Sequence, residues 1–410
     1  MADDRTIVGL DIGTTTVTAA IAEYNDDDQL EVIGLGAVPS HGLRRGVVIN
    51  IEATLKSVAD AIGAAEQMAG KEVESVVTGI AGGHIEGLNS RGVVAVTGKG
   101  REITAEDVDR VIDAAKAVVI PMDREVIHVI PQEFIVDEQG GIRNPLDMIG
   151  VRLEAEVHII TGSVTSAQNL VRCVNRAGFK VDDIVLESLA ASGAVLTADE
   201  RDLGVMLIDL GGGTTDILIY RDGAPYYTSV LPVGGVQVTS DLSIMLKTPT
   251  ESAEQIKREA GCCYASLVED GEPVIIPGVG GRPPMSIERS EICRIIQPRI
   301  AETLQMVKDK VDPKGYLRHL GAGVVLTGGG ALLPGVVELA QDILGIGART
   351  GQPGDLGGIG LAYQSPEYST VIGLVLHAAQ TGQRQAVSGP DRGRQGVLKG
   401  VRRWFRNFFE

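Results

Sequence analysis

Apolar residues recur along the chain in short runs that end in glycine-rich turns, and between these runs they recur at three- and four-residue spacing. Buried strands alternating with amphipathic helices produce that pattern. Residues 7–17 read IVGLDIGTTTV and residues 207–217 read LIDLGGGTTDI. Each is an apolar run ending in Asp, then a Gly-rich turn with paired threonines, then a second apolar run. The two aspartates, Asp11 and Asp209, are 198 positions apart (209 − 11). Two hairpins of one design, each opening half of the chain, predict a duplicated α/β fold with two related lobes.

Further elements follow the same rhythm. ESVVTGIAG (74–82) predicts a strand, TSAQNLVRCVNRAGF (165–179) a helix closed by glycine, and VDDIVLES (181–188) a strand running into the small-residue helix LAASGAVL. GAGVVLTGGGALLPGVVELAQDIL (321–344) predicts strand, Gly turn and helix. The rhythm breaks over 84–162, where a charged helix at 105–118 accompanies a strand pair around HVIPQEFIVDEQG. This stretch reads as a subdomain inserted in the first lobe. The expected organisation is a first-lobe core (1–83, 163–196, 365–378), the insert (84–162), a second-lobe core (197–240, 311–364) and a second-lobe subdomain (241–310). Residues 379–395, polar and rich in Gly and Gln, read as a flexible linker before a terminal helix at 396–410.

Charge sharpens this division. The formal net charge is −17, which argues against general nucleic-acid binding. From Arg384 onward seven Lys/Arg face only Asp391 and Glu410, a net of +5, so the body carries about −22 (−17 minus +5). On a helix, Val397, Val401, Trp404, Phe405 and Phe408 share one stripe flanked by Leu398 and Phe409, and Lys399, Arg402, Arg403 and Arg406 take the other face. The only Trp and three of the five Phe lie in the last seven residues. A basic amphipathic helix rich in aromatic rings is suited to resting on an anionic lipid surface. Docking back on the body, or on a partner, is the competing reading. The N-terminus carries no signal-peptide pattern, and no apolar run approaches the roughly 18 residues of a spanning helix. Four cysteines without CxxC spacing suggest reduced thiols, and the six scattered histidines show no metal-binding pattern.

The hairpins carry the candidate chemistry. Backbone N–H groups of a tight Gly turn approach phosphate oxygens closely, and Thr hydroxyls add donors. The first turn offers Gly13, Thr14, Thr15 and Thr16, and the second offers Gly211, Gly212, Gly213, Thr214 and Thr215. Asp11 and Asp209 at the strand ends would hold Mg²⁺ through water. Gly328, Gly329 and Gly330 let backbone lie flat against an adenosine, with Leu333 just beyond. Glu254, Lys257 and Arg258 share a helix face suited to ribose and base. Gly234 and Gly235 complete the expected cofactor-binding set.

These motifs, in this order, resemble the actin, Hsp70 and sugar-kinase superfamily. HVIPQEFIVD (128–137) and GVRLEAEVHIITG (150–162) resemble the inserted subdomain of the bacterial FtsA cell-division family. That resemblance spans essentially the whole chain. It implies an ATP- and Mg²⁺-binding protein that is at most a weak ATPase, with Glu187 of VLESLAASGAV as the candidate water-orienting carboxylate. A purely structural role for Glu187 stays open. It also implies a peripheral protein on the cytoplasmic side of the cell membrane at the division site. Such a protein tethers filaments of FtsZ, assembles with itself and recruits later division proteins. By the same resemblance, the helix within SIERSEICRIIQPRIAETLQMVKDKV (286–311) would bind the C-terminal peptide of FtsZ through Arg289 and Arg299. A small-molecule kinase of the same superfamily is the alternative, although it leaves the tail without a role.

Overall fold

The computed structural model describes residues 6–388, apart from Gly98, Asp270, Glu272 and 279–282. The expected membrane helix, Val397 to Phe409, lies outside the described residues. In chain order the first lobe opens with β1 (Ile7–Ile12), β2 (Thr16–Tyr24), β3 (Leu30–Pro39), the short pair β4 (Leu43–Arg44) and β5 (Val47–Val48), α1 (Ile51–Ala69) and β6 (Ser75–Ile80). Asn50 starts α1 by accepting the Ala53 N–H on its side chain, and Gly70 stops it in the left-handed conformation. The insert follows as β7 (Glu86–Ala95), α2 (Ala105–Ala115), β8 (Arg124–Val136), β9 (Gln139–Ile142) and β10 (Arg152–Ser163). A reciprocal box between Thr104 and Asp107 caps α2. The chain then returns through α3 (Val164–Arg176) and β11 (Lys180–Leu186).

Helix α4 (Glu187–Val195) and the short α5 (Ala198–Leu203) lead into the second lobe. There follow β12 (Val205–Leu210), β13 (Thr215–Arg221), β14 (Ala224–Leu231), α6 (Gly235–Leu246), α7 (Thr250–Ala260), β15 (Pro273–Ile276), β16 (Met285–Glu288) and α8 (Arg289–Val311). The lobe closes with β17 (Val324–Thr327), α9 (Val336–Leu344) and β18 (Ala348–Thr350), and α10 (Ser369–Ser388) crosses back to the first lobe.

The duplication appears in the sheet order. The first-lobe sheet runs β3-β2-β1-β6-β11 and the second-lobe sheet β14-β13-β12-β17-β18. In each, the opening strand pairs antiparallel with its hairpin partner and parallel with the next core strand. The insert forms its own sheet, β7-β10-β8-β9, around Phe134, Leu153, Val157 and Ile159, against which Val108, Val111 and Ile112 of α2 pack. Each lobe thus buries its apolar strand faces against helices, the arrangement of an actin-like fold.

Two contacts outside the hairpin turns help to join the lobes. Helices α4 and α10 cross so closely that a Cβ on Gly373 would lie 1.9 Å from the Ala190 carbonyl oxygen. The insert also reaches the edge strand of the second lobe. Asn89 donates to the Tyr226 carbonyl (3.2 Å) and Gln132 to the Pro225 carbonyl (2.9 Å). Buried His158 bridges Asn89 Oδ1 (2.6 Å) and Thr228 Oγ1 (2.9 Å). Because the Asn89 oxygen accepts, Nδ1 of His158 carries the proton and Nε2 accepts from Thr228. Burial pushes this imidazole down to about 4, so the neutral ring that the network needs is the one present near neutrality.

One expectation needs correction. Helix α10 continues to Ser388, so residues 379–388 are helical where a flexible linker was expected. Ala379 and Thr381 are buried, and the Thr381 hydroxyl donates to the His377 carbonyl (2.8 Å). The segment contains a single Gly at 382 and no Pro before Pro390, so its Ala, Gln and Arg residues sustain the helix. Among the described residues no helix is long and apolar enough to cross a membrane.

Candidate nucleotide and cation cleft

The two hairpin turns are built alike. Gly13 N–H donates to the Thr16 carbonyl in the first and Gly211 N–H to the Thr214 carbonyl in the second, both at 3.0 Å. The turns face each other across the gap between the lobes. A Cβ on Gly212 would lie 2.5 Å from the Thr15 hydroxyl, and one on Gly213 2.4 Å from the Thr14 hydroxyl. Bare backbone on the second turn therefore lets the threonines of the first come against it. Gly234 and Gly235 buttress the second turn: Gly235 and Val236 N–H donate to the Gly211 (3.0 Å) and Gly212 (2.8 Å) carbonyls. Thr15 and Thr16 are exposed, whereas Thr215 is buried and its hydroxyl donates to the Val233 carbonyl (2.9 Å). In this arrangement the Thr215 hydroxyl is not offered to a phosphate, contrary to the expectation from sequence.

Four carboxylates gather beneath the turns. Burial, then the Asp209 charge, pushes Asp11 up to about 7. Burial pushes Asp209 up to about 6 against the opposing hydrogen bond from Thr370. Burial, with Asp209 and Asp11 beside it, pushes Asp216 up to about 8. Glu187, at the start of α4, is raised well above the usual carboxylate range by burial and by Asp11, Asp216 and Asp209. Like charges held together in a dry site resist ionisation, and a cation relieves the conflict. Oδ1 of Asp11 and Oδ1 of Asp216 are both buried without a hydrogen-bond partner. Unpaired, buried acceptors on two acids of one cluster fit a hydrated Mg²⁺, whose waters are donors. Among the described residues no three His, Cys, Asp or Glu side chains are gathered as a direct metal site.

The third Gly turn meets the same place. Gly328 has φ of +78°, and a Cβ there would lie 2.1 Å from Asp209 Oδ1. Glycine answers both the left-handed backbone and the close approach. Gly329 faces open space and Gly330 packs on Leu210. Leu333 lies against Gly261 at the end of α7. On α7, Lys257 Nζ is bonded to Glu254 (2.6 Å), the Thr239 hydroxyl (3.0 Å) and the Gly235 carbonyl (3.3 Å), and Thr239 also bonds Glu254. Arg258 is exposed and close enough to Tyr368 to act on its hydroxyl. Thr14 and Thr15 of the first turn, Gly212 and Gly213 of the second, and Gly328 beside Asp209 thus lie close together between the lobes.

Asp216 and Thr370 are cleft residues that the sequence reading missed. Asp216 sits directly opposite Asp209 in the hairpin register. Its place in an apolar run, TTDILI, was the available signal. Thr370 is separated from Asp209 by 161 residues, and no local pattern marks it.

Arg289 and Arg299 lie away from the cleft. Arg289 donates from Nε to the Ala260 carbonyl at the end of α7 (3.0 Å). Arg299 grips Asp241 of α6 through Nε (2.6 Å) and Nη2 (3.2 Å) and also pairs with Glu302. On α8, Ile292, Ile296, Ile300, Leu304 and Val307 are buried in the second-lobe core and Ile295 packs against it.

Comparison with known proteins agrees with this architecture. Residues 206–373 match the family model described as cell division protein FtsA, and residues 82–161 match the SHS2 domain inserted in FtsA. The cell division protein FtsA of Borreliella burgdorferi is 52% identical over 372 residues, covering 90% of each chain. That of Pseudomonas aeruginosa is 45% identical over 412 residues, covering 99% of this chain and 98% of the relative. Among solved structures, a PilM–PilN type IV pilus biogenesis complex aligns with a TM-score of 0.64 at 16% identity, covering 91% of this chain and 98% of that one. MreB 5 of Spiroplasma citri bound to AMPPNP aligns with a TM-score of 0.57 at 14% identity, covering 94% and 100%. At such identities the structures speak for an actin-like fold, while the relatives' similarity along almost the full length goes further: the chain belongs to the FtsA family of cell division proteins.

Proposed function

We propose that the protein binds Mg²⁺·ATP in the interlobe cleft and, in that state, tethers FtsZ filaments to the cytoplasmic face of the membrane at the division site. The observation that carries the nucleotide reading is the pair of facing Gly-Thr turns over a crowded, partly unpaired carboxylate cluster. Backbone N–H groups around Gly13 and Gly211–Gly213, with the Thr14, Thr15 and Thr214 hydroxyls, cradle the phosphates. Asp11 and Asp209 hold the cation through water, and Asp216 adds to the negative field around it. Bound Mg²⁺ would supply charge neutralisation for the β- and γ-phosphates. Glu187 orients a water toward the γ-phosphate, and the slow turnover expected suits a switch better than a metabolic catalyst. That MreB 5, a neighbour in fold, is bound to AMPPNP supports the nucleotide reading.

Membrane attachment rests on the basic, aromatic end of the chain. Anionic lipid attracts each nearby Lys or Arg by about 1 kcal/mol, and burying the four terminal rings adds at most about 1.5–3 kcal/mol each before ordering costs. Self-assembled copies strengthen binding through avidity. Arg289 and Arg299 on α8 mark the face that takes the C-terminal peptide of FtsZ, and later division proteins join the assembled layer.

Co-sedimentation with vesicles containing phosphatidylglycerol tests the attachment. The full chain is expected to pellet with the vesicles, and a chain ending at Ser388 to stay in the supernatant while keeping its ATP affinity. A shortened chain that still pellets, or a full chain that does not, would contradict the proposal.

A further inference from the structure

The turn that presents Glu187 to the cleft is held by a residue of the insert. Leu186 ends β11 and caps α4 without any side-chain capping bond. Its side chain is fully buried, so its N–H needs a partner inside the protein. That partner is His128 Nε2, at 3.0 Å. His128 lies on β8, the central insert strand paired on both sides by β10 and β9. As an acceptor at Nε2 the imidazole must be neutral and protonated on Nδ1. Burial keeps it so, pushing it down to about 4, with Asp183 opposing that shift and His377 adding to it. Asp183 in turn meets His377 of α10 at 3.4 Å, so strand, insert and returning helix meet at one point.

The next residue is Glu187. A Cβ on Gly79 would lie 2.7 Å from Glu187 Cγ, so the side chain passes flat over β6. From there its carboxylate senses Asp11, Asp209 and Asp216. The direction of that carboxylate depends on the turn at Leu186, and the turn depends on His128.

We propose that His128 is a positioning residue for Glu187, and that through it the insert governs how well the cleft cleaves ATP without altering how tightly ATP is held. The proposal rests on the nucleotide reading given above. It makes β8 a mechanical link: a partner or second copy that shifts the insert sheet moves the Leu186 turn, and with it the water-orienting carboxylate. Gln retains an acceptor oxygen near the position of Nε2, whereas Leu and Asn leave the Leu186 N–H unpaired.

The test uses the full chain, with calorimetry for the ATP affinity and single-turnover cleavage of γ-labelled ATP for the chemistry. His128→Leu is expected to slow cleavage about 10-fold or more while the ATP Kd stays within about 2-fold, and His128→Gln to recover to within about 3-fold of the parent rate. Should the Leu variant not fold, His128→Asn gives the same reading. The proposal is overturned if the Leu or Asn variant cleaves at the parent rate, or if Kd and rate decline together. It is also overturned if Gln rescues nothing, or if the parent binds ATP and leaves it intact. A parent chain that binds no Mg²⁺·ATP refutes the nucleotide reading itself. In contrast, a Glu187→Gln variant cleaving at the parent rate removes Glu187's role while leaving binding in place.

Discussion

Replacing Asp11 by Asn is expected to stabilise the nucleotide-free protein at pH 8 and to weaken Mg²⁺·ATP binding about 100-fold or more, near 2.7 kcal/mol. The two effects have one cause. Burial pushes Asp209 up to about 6, and burial together with the neighbouring acids pushes Asp11 and Asp216 up to about 7 and 8. A carboxylate whose folded value exceeds its unfolded one contributes stability at low pH, and that stability is lost as pH rises through the folded value. For this cluster the loss runs from about pH 4 to about pH 8, where the apoprotein is obliged to hold several negative charges in a dry cleft. Asn keeps the shape and removes one charge. Allowing for the partial solvent contact of Asp11, the gain at pH 8 is about 2 kcal/mol, fading toward pH 4. Urea unfolding at the two pH values measures it, and a variant less stable than the parent at pH 8 would contradict the electrostatic account. The parent itself should become less stable from pH 6 to pH 8 without ligand, and Mg²⁺·ATP should flatten that slope.

The second large effect is steric. Gly373→Val is expected to cost about 3 kcal/mol or more, seen as a lowered urea midpoint, because the added atoms meet the backbone of α4 and not a side chain that can turn away. The nearest obstacles are the Ala190 carbonyl oxygen at 1.9 Å and its carbon at 2.3 Å. This is where the two chain crossings between lobes touch, so the damage should extend to the cleft. Nucleotide affinity should fall together with stability. A Val variant as stable as the parent would show that α4 and α10 separate at little cost, and the fixed crossing would have to be abandoned.

Local patterns made much of this molecule legible. Both hairpins follow from an apolar run, an Asp and a Gly-Thr turn within eleven residues, and the structure places them in equivalent positions of two sheets of the same order. The third turn and the insert's strands were readable for the same reason. What escaped depended on distance in sequence. Asp216 opens an apolar run, and only its register opposite Asp209 brings it into the acid cluster. Thr215 resembled a phosphate donor until the chain at Val233 came near enough to take its hydroxyl. Arg299 read only as a contact for a partner peptide, and nothing local announced that Asp241, 58 positions away, holds it in a two-pronged pair. Residues 379–395 read as a linker from their polarity, yet over 379–388 helix formation needs only compatible residues and a preceding helix to extend.

The most direct test of the paired-turn cleft is calorimetric titration of the full chain with ATP at pH 7.5, once with Mg²⁺ and once with excess EDTA. The carboxylate cluster predicts saturable binding with Mg²⁺ and binding weakened about 100-fold or more without it, since the triphosphate would then face the ionised Asp11 and Asp209 with no cation between them. Equal affinity in both titrations would contradict a cation bridging these aspartates and the phosphates.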